Sequence, residues 1–453
     1  MLFSGFKHTS ACKSADRVAF FILAFLVLAT SCVGLQKNYL GKSKRQNLLA
    51  PISNGQIEAR EAQRKEVTHR TDSVLQRIVL KKNIENHLMA NDLNQIYYDF
   101  GMQVDNDRFF NYLLHRGGLR RDSLTSLQKY GASKLLLAAA EYERQYQCDK
   151  TLRRALNAGD AANNIPRKVI RKSRNYLYSP KVRRRLKQSR NGGAYPSDSI
   201  LAQLPKTNIF KAAFYSIYQH NDRLHSALHN AFSYLGKTFF SSKPNKIIRR
   251  SQRENAEKLL SQLQAGDIVL SKSSGYLTNQ VIPGYFTHAS IWLDVKNRRK
   301  YPVNAEKLGR ESKREVTIND RAMAESTTIG GVHISSLRDF AHAQTYLILR
   351  PKRLDSDQKM EVMSNILKQI KKGYDFNFDI ESSDLINCTE LVFLAYDFVD
   401  WETHYFMGKY AIFPDDILQT ALHNNMFEIA ALLDNGKLVQ YPDTKAVLSL
   451  IGQ

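Results

Sequence analysis

Cysteine is scarce in this chain, and so are the cysteine pairs that build metal sites or disulfide frameworks. Only four cysteines occur among 453 residues, and no C-x-x-C pair or repeated cysteine and histidine spacing is present. This excludes the common cysteine-based zinc sites and a disulfide-dense scaffold, and we predict no metal and no other cofactor. The few thiols are therefore candidates for individual chemical roles.

No apolar run is long enough to cross a bilayer comfortably. The stretch V-A-F-F-I-L-A-F-L-V-L-A-T spans residues 18–30, whereas a membrane helix needs about 20 residues. Lys7, Lys13 and Arg17 precede it, so residues 1–32 are typical of a cleaved signal peptide. The sequence A-T-S-C then resembles a lipobox, which implies acylation of Cys32, although Ala29 stands where leucine is usual. An ordinary signal peptide and an uncleaved anchor are the alternatives.

The expected location follows from this terminus. Residues 33–57 are predicted to be a flexible tether from the anchor. No acidic residue directly follows Cys32, and by the rules for bacterial lipoproteins this favours the outer membrane. We therefore expect an exported protein, lipid-anchored in the outer membrane and facing the periplasm.

Acidic residues are also in short supply, most of all in the middle of the chain. Lys and Arg number 66 against 43 Asp and Glu, a net charge of +23, and residues 151–250 hold 21 basic against three acidic side chains. Residues 58–250 show helical periodicity, as in 75–84, 133–144 and 209–218, without strand-like alternation. We predict a basic, mostly α-helical domain over 58–250.

The segment 166–190 mixes cations with aromatic and aliphatic residues. Such a segment can lie on an anionic membrane surface, where each cation adds on the order of 1 kcal/mol. Nucleic acid would use the same electrostatics, but an exported protein rarely meets it, so no nucleic-acid partner is expected. A solvated face that only keeps the domain soluble is the alternative.

Cys388 lies where a helical pattern begins. Apolar residues follow it at spacings of 3, 4 and 7, and Asn387 is a good N-cap that Glu390 can complete as a capping box. Cys388 would be the first residue of that helix, where free N–H groups and the positive end of the helix dipole stabilise a thiolate. A buried structural cysteine is the alternative reading.

His288 lies in a segment with the alternation of a strand. In T-H-A-S-I-W-L, His288, Ser290 and Trp292 would share one side. A histidine facing a cysteine at a helix start can act as the base that converts the thiol into a nucleophile.

Four ordered segments carry a family resemblance. A-G-D-I-V-L (265–270), V-I-P-G-Y-F-T-H-A-S-I-W (281–292), G-Y-D-F-N-F-D (373–379) and N-C-T-E-L-V-F-L-A-Y (387–396) resemble the permuted papain-like amidases of the YaeF/YiiX group in the NlpC superfamily. In that group the cysteine follows the histidine, the reverse of the ordinary papain-like order. The last segment also resembles the lecithin retinol acyltransferase relatives, which share the permuted core.

The resemblance implies roles for further residues. It implies an acid on the strand after the histidine strand, and Glu325 in M-A-E-S-T-T fits that place. A carboxylate bonded to one imidazole nitrogen would orient His288 and leave the other nitrogen for the thiol. His333 is the second candidate for this role. The long polar insertion between His288 and Glu325 is predicted to be a surface loop near the site.

Tyr374 and Asp375 match a familiar element of the group, which implies that they line the substrate cleft, with Asn387 as a third substrate-binding residue. A plain turn is the alternative for the first two.

The resemblance and the patterns together predict an α+β fold. Residues 260–440 should form a permuted papain-like domain whose small antiparallel sheet includes G-D-I-V-L, T-H-A-S-I-W-L and Y-L-I-L-R and packs on the Cys388 helix. A further helix is expected over 357–372, ended by Gly373.

The predicted function is a cell-envelope cysteine hydrolase that cleaves amide bonds in a cell-wall peptide or an N-acyl lipid. A lipid acyltransferase or esterase using the same thiol, and a non-catalytic envelope binding protein, are the alternatives. The oligomeric state is left open.

Overall fold

A computed structural model describes residues 52–84, 87–116, 124–146, 149–179, 182, 184, 186, 197–202, 204, 250–273, 282–293, 299–302, 315–318, 322–336, 340, 343–382, 384–406, 409–440 and 442–451. The predicted signal peptide with Cys32, most of the tether and the run 209–218 lie outside these residues. Among the described helices, none is both long enough and apolar enough to cross a membrane.

The chain divides into two compact units. Of the described residues, the first unit contains those within 1–67, 102–159 and 164–227, and the second contains those within 68–101, 160–163 and 228–453. The second unit therefore includes helical residues from well before the segment that carries the family resemblance.

The N-terminal part of the chain is helical. Its helices are α1 (Asn54–Ile84), α2 (Ala90–His115), α3 (Ser126–Tyr146), α4 (Lys150–Ala158), α5 (Val169–Leu177) and α6 (Ser197–Ala202). The predicted helical runs 75–84 and 133–144 lie in α1 and α3, as expected.

The first unit contains a buried ionic network. The Arg64 guanidinium pairs with Asp107 and, at 2.6 Å, with Glu141, while the Tyr142 hydroxyl donates to Asp107 over 2.6 Å. Burial raises the pKa of Asp107 to about 6, against the lowering effect of Arg64 and Tyr142. This carboxylate tolerates its buried position because two neighbouring side chains satisfy it.

The second unit contains the remaining elements. They are α7 (Arg250–Leu260), β1 (Ile268–Lys272), β2 (His288–Trp292), β3 (Arg299–Pro302), β4 (Glu315–Ile318), β5 (Ala322–Thr327), β6 (Gly331–Ser336), β7 (Thr345–Pro351), α8 (Ser356–Gln369), α9 (Cys388–Ala395), β8 (His404–Phe406), β9 (Lys409–Ala411), α10 (Pro414–His423), β10 (Phe427–Asp434), β11 (Lys437–Val439) and α11 (Thr444–Leu450).

A seven-stranded antiparallel sheet organises this unit, in the order β11-β10-β7-β1-β2-β5-β6. The three strands expected from the sequence are β1, β2 and β7, and they are adjacent at its centre. The α+β class is therefore confirmed, and α9 packs against β2 and β5 as well as against α8.

One core cluster joins α7 to the sheet. Its buried members are Ala256, Leu259, Leu260, Leu263, Val269, Trp292, Met323, Phe340, Ala343, Tyr346, Ile348 and Leu433. Burial of each large side chain contributes roughly 1.5–3 kcal/mol relative to its exposed state. This packing holds β2 and β5, the two strands that carry the candidate site residues.

Helix α8 ends earlier than predicted. It begins with a capping box between Asp355 and Gln358 and ends at Gln369, so the prediction that it reaches residue 372 and ends at Gly373 is wrong. The reason is tertiary, because the Lys371 N–H donates to Val332 and the Val332 N–H donates to Lys372, which pairs this backbone with β6.

The insertion between His288 and Glu325 is not simply a loop. Strands β3 and β4 pair within it as an antiparallel hairpin, with Arg299 opposite Ile318. The insertion predicted as a surface loop therefore contains two paired strands that its sequence did not indicate.

Gly331 occupies a backbone position that only glycine adopts without strain. Its φ is +60°, and a Cβ there would collide with the Lys372 carbonyl oxygen and approach the Gly373 Cα to 3.0 Å. Gly331→Ala should therefore lower the free energy of unfolding by about 2 kcal/mol or more, since a left-handed conformation alone costs an L residue about 1–2 kcal/mol. Chemical denaturation of the purified protein measures this change.

Gly55→Ala is the matched control, because a Cβ at Gly55 meets nothing closer than the Ser53 hydroxyl at 3.9 Å. An equal midpoint for both variants would contradict the close packing at Gly331.

Candidate active site

The Cys388 helix begins where the sequence predicts. The Asn387 side chain accepts from the N–H groups of Thr389 and Glu390, both at 2.9 Å, and the Glu390 carboxylate accepts the Asn387 N–H at 3.0 Å. This capping box makes Cys388 the first helical residue. The Cys388 N–H is not consumed by the cap, so it is available at the positive end of the helix.

Two further hydrogen bonds fix the position of this helix start. The Ser326 hydroxyl on β5 donates to the Ile386 carbonyl over 2.5 Å, and the Thr389 hydroxyl donates to the Ile412 carbonyl over 2.7 Å. Cys388 itself is a free, buried cysteine, 2% exposed. The start of the Cys388 helix is therefore held between β5 and Ile412, the residue that follows β9.

His288 is the first residue of β2, and its side chain is about a quarter exposed (25%). Its Nε2 donates to a Glu325 carboxylate oxygen at 3.0 Å, so Nδ1 is the ring nitrogen left for Cys388. The Phe340 ring lies beside the imidazole, with 6.2 Å between ring centroids.

The electrostatics of His288 reflect both partners. Burial of the ring favours its neutral form and lowers its pKa, but hydrogen bonds to Cys388 and Glu325, together with the negative charges of both, raise the pKa to about 10. At neutral pH the imidazole therefore keeps its proton.

Glu325 reaches His288 because of the sheet register. It lies opposite Ser290 on β2, which makes it a diagonal neighbour of His288 on the same face. Burial would raise the pKa of Glu325, but the hydrogen bond and charge of His288, a hydrogen bond from Ser335 and the charge of His333 lower it below its ordinary value.

His333 is one step further from the thiol. It lies opposite Glu325 on β6, with its Nε2 at 3.6 Å from the other carboxylate oxygen and its Nδ1 at 2.9 Å from the Gly331 carbonyl. Of the two sequence candidates for orienting His288, Glu325 is the one in hydrogen-bonding contact with it.

Tyr374 lies beside the thiol. It is 6% exposed, and burial, followed by the negative charges of Cys388, Glu390 and Asp375, raises its pKa well above the ordinary value. It therefore presents a neutral hydroxyl at the site.

Asp375 and Asn387 are engaged with backbone. Asp375 is fully buried and accepts the N–H groups of Asn377 at 2.9 Å and Asp379 at 2.8 Å. The Asn387 amide also donates to Glu390 over 2.6 Å. These bonds give both residues a role in holding the chain around Cys388.

Three residues that contribute to the site escaped the sequence reasoning. Phe340 packs beside His288, Ser335 bonds Glu325, and Ser326 holds the residue before the cap. Of the three, only Ser335 could have been found from the sequence, because the alternation of side chains along β6 puts it on the same face as His333.

A cysteine at a helix start, a histidine on a neighbouring strand and a carboxylate bonded to that histidine are typical of the thiol hydrolases with a papain-like fold. Residues 262–440 match the family described as permuted papain-like amidase enzyme, YaeF/YiiX, C92 family. This match confirms the family resemblance of that segment, which is less than half of the chain, and the chain is an enzyme. No curated protein and no solved structure matches the chain.

Within the described part of the chain, no group of three or more His, Cys, Asp or Glu side chains is placed to hold a metal ion.

The raised pKa of His288 can be measured directly. In Cys388→Ala the negative partner is removed, so the pKa of His288 should fall from about 10 toward its ordinary 6.5. An NMR titration of the imidazole resonances measures the shift. An unchanged high value in this variant would show that Cys388 does not stabilise the imidazolium.

The sign of the pH effect on stability follows from the two shifts. Because the folded pKa of His288 is raised, its contribution is full below pH 6.5 and lost as the pH rises through about 10. Because that of Glu325 is lowered, its contribution is present above pH 4.5 and lost as the pH falls through its lowered pKa. The Tm advantage of the wild type over Cys388→Ala should therefore shrink as the pH rises from about 6.5 to about 10.

Proposed function

We propose that this protein is a cysteine hydrolase that cleaves amide bonds through Cys388, His288 and Glu325. The observation that carries the proposal is that His288 bonds the Glu325 carboxylate through Nε2 while also bonding Cys388. One ring thereby receives its orientation from a carboxylate and presents its other nitrogen to a nucleophile.

The first half of the reaction forms a thioester. The Cys388 thiolate attacks the carbonyl carbon of the amide, and the electron pair of the carbonyl bond moves to oxygen. The Cys388 N–H at the helix start stabilises that oxyanion. The tetrahedral intermediate collapses, the carbon–nitrogen bond breaks, and His288 gives its proton to the departing amine.

The second half restores the enzyme. Neutral His288 takes a proton from a water molecule, whose oxygen attacks the thioester carbon. The carbon–sulfur bond breaks, the carboxylic acid product leaves, and the thiolate–imidazolium pair is regenerated. Glu325 stabilises the imidazolium at the start and end of this cycle and keeps its ring oriented throughout.

The substrate that we propose is an amide in a cell-wall peptide or an N-acyl lipid. Tyr374 is the residue we expect at the cleft, because it lies beside Cys388 with a neutral hydroxyl and an aromatic ring packed 4.9 Å from Phe376. Contacts of Asp375 and Asn387 with the substrate stay predictions. The hydrogen bonds that these two side chains form within the protein favour a role in shaping the cleft.

Acyl transfer or lipid ester hydrolysis on the same thiol is the second candidate, favoured by the resemblance of N-C-x-x-x-V to the lecithin retinol acyltransferase relatives. It differs only in the group that releases the thioester, an alcohol or an amine in place of water. Trapping the acyl-enzyme and adding each acceptor distinguishes the two. Absence of Cys388 labelling by a thiol probe would favour the third candidate, a non-catalytic binding protein.

The catalytic assignment predicts a graded loss of turnover. Cys388→Ala and His288→Ala should each lower turnover by several orders of magnitude, because each removes a reacting group. Glu325→Gln should lower turnover less, since the glutamine amide oxygen can still accept a hydrogen bond from the His288 ring but the negative charge beside the ring is removed. Turnover on peptidoglycan fragments and on N-acyl lipids, with mass spectrometry for a Cys388 thioester, measures these effects.

His423→Ala is the matched control. The His423 side chain is 73% exposed and lies 3.9 Å from Glu402, and we expect wild-type turnover from this variant. Full activity in Cys388→Ala or His288→Ala, with the fold retained by circular dichroism, would contradict the mechanism.

The location and the membrane partner form a separate part of the proposal. Export, acylation of Cys32 and contact of the basic segment with anionic lipid are supported by the N-terminal sequence and by the charge of residues 151–250. In the described part of that segment, the positive charges of Lys168 and Arg171 add to the effect of burial in lowering the pKa of Lys172. This concentration of cations suits an anionic surface.

Membrane contact predicts salt-sensitive binding. A Cys32→Ser protein with its leader removed should sediment with vesicles that contain anionic phospholipid, and binding should weaken as salt is raised. A Lys168→Gln, Arg171→Gln, Lys172→Gln variant should bind roughly tenfold or more less tightly, since each cation contributes on the order of 1 kcal/mol. Equal binding to neutral vesicles would contradict an electrostatic contact.

Acylation of Cys32 is tested separately, by the mass of the exported wild-type protein.

A further inference from the structure

We infer that residues 68–84 and 87–101, called here the clamp, position the catalytic loop of this enzyme, although they lie far outside the segment 262–440 that matches the amidase family. The catalytic loop is defined as residues 373–387, which lead from Tyr374 to the Cys388 helix. Clamp and loop belong to the same compact unit. The inference rests on the proposed role of Cys388 as nucleophile.

Glu381, in the middle of the catalytic loop, is the main point of contact. Its side chain is 3% exposed and forms an ion pair with Lys82 of the clamp. The Tyr97 hydroxyl donates to the Glu381 carbonyl over 2.8 Å. Two clamp residues therefore hold the side chain and the backbone of one loop residue.

Lys82 also contacts the chain that follows the Cys388 helix. Its ammonium lies 5.7 Å from the centre of the Tyr410 ring, and the Tyr410 hydroxyl donates to the Lys82 carbonyl over 3.3 Å. The Ile380 N–H in turn donates to the Tyr410 carbonyl over 3.1 Å. Clamp, catalytic loop and strand β9 thus meet around one lysine.

Further contacts fasten the clamp to the end of helix α9 and the residues after it. His87 Nε2 lies 2.6 Å from the Asp400 carboxylate, and the Leu88 N–H donates to the Thr403 hydroxyl over 3.2 Å. The Asn94 amide donates to Asp397 over 2.7 Å. The attachment is therefore distributed and does not depend on Lys82 alone.

A chain of hydrogen bonds leads from Glu381 to Asp375, which directly follows Tyr374 in the chain. The Glu381 N–H donates to Asp379 over 3.2 Å, and the Asp379 N–H donates to Asp375 over 2.8 Å. Asp375 follows Tyr374, the buried neighbour of Cys388. The loop then closes where the Ile386 N–H donates to the Gly373 carbonyl over 2.8 Å, directly before the helix cap.

The physical reason for a clamp is the acidity of this loop. Burial and the nearby carboxylates of Asp375 and Asp379 raise the pKa of Glu390 well above its ordinary value. Several acidic side chains are thus buried close to one another and to Cys388. Glu381 adds a further buried carboxylate to this loop, and Lys82 supplies a positive charge directly to it.

Lys82 and Tyr97 are therefore positioning residues, because they act on Cys388 through the loop and do not touch the reacting atoms. A loop that shifts by about 1 Å can cost roughly 100-fold in rate even when the mutated residue is distant from the chemistry. The effect should appear in the reactivity of the thiol itself.

The test uses the full-length mature protein with Lys82→Ala, Lys82→Arg and Tyr97→Phe. The rate at which iodoacetamide alkylates Cys388 is measured from pH 5 to 10 by peptide mass spectrometry, together with amide turnover. Lys82→Ala should lower both by about 10- to 100-fold and Tyr97→Phe by several-fold, and Lys82→Arg should restore most of the loss.

Arg77→Ala is the matched control. Arg77 is a clamp cation that pairs with Asp92 at 2.9 Å within the clamp, with a side chain 53% exposed. The Arg77→Ala variant should leave the rate and pH profile of Cys388 alkylation unchanged. This result would distinguish an effect on the position of the catalytic loop from a general effect of removing a positive charge from the helix.

The outcomes are distinct. A wild-type Cys388 that is not alkylated faster than a model thiol at neutral pH would overturn the proposed function. Rapid wild-type alkylation with the same rate and pH profile in Tyr97→Phe and Lys82→Ala would overturn the clamp. If Lys82→Ala fails to fold, Tyr97→Phe keeps the question open to measurement, because it removes a single hydroxyl group.

Discussion

The hydrogen bond from His288 Nε2 to Glu325, 3.0 Å long, is the interaction on which the site depends. It fixes which ring nitrogen faces the thiol, and the carboxylate charge behind it favours the imidazolium. The raised pKa of His288 reflects this charge together with the hydrogen bond to Cys388. Without this bond the ring could rotate, and the helix start alone would have to stabilise the thiolate.

The rest of the second unit keeps three chain segments in register around that bond. Antiparallel pairing of β2 with β5 puts His288 and Glu325 on neighbouring positions of one face. The Asn387 cap fixes the first residue of α9, and Ser326 ties that cap to β5. Each contact is a modest hydrogen bond of about 1 kcal/mol, so precision comes from their number and from burial.

Local patterns predicted much of this arrangement. The alternation around His288 and the N-cap before Cys388 are short-range signals, and both elements form where they were expected. The end of α8 and the hairpin β3–β4 were predicted wrongly. In the first case a long-range pairing with β6 takes the backbone out of the helix, and no local pattern at Gly373 reports a partner 40 residues earlier in the chain.

The sequence by itself determined the parts of the candidate site: a cysteine at a helix start, a histidine on a strand, and a family resemblance that joins them. Local propensity and capping depend on residues within one or two turns, so they can be read from the chain. Only the tertiary structure decided that Glu325 contacts His288 while His333 stands behind it, and that Lys82 and Tyr97 hold Glu381. Those choices depend on strand register and on buried charge, which arise when segments distant in sequence pack together.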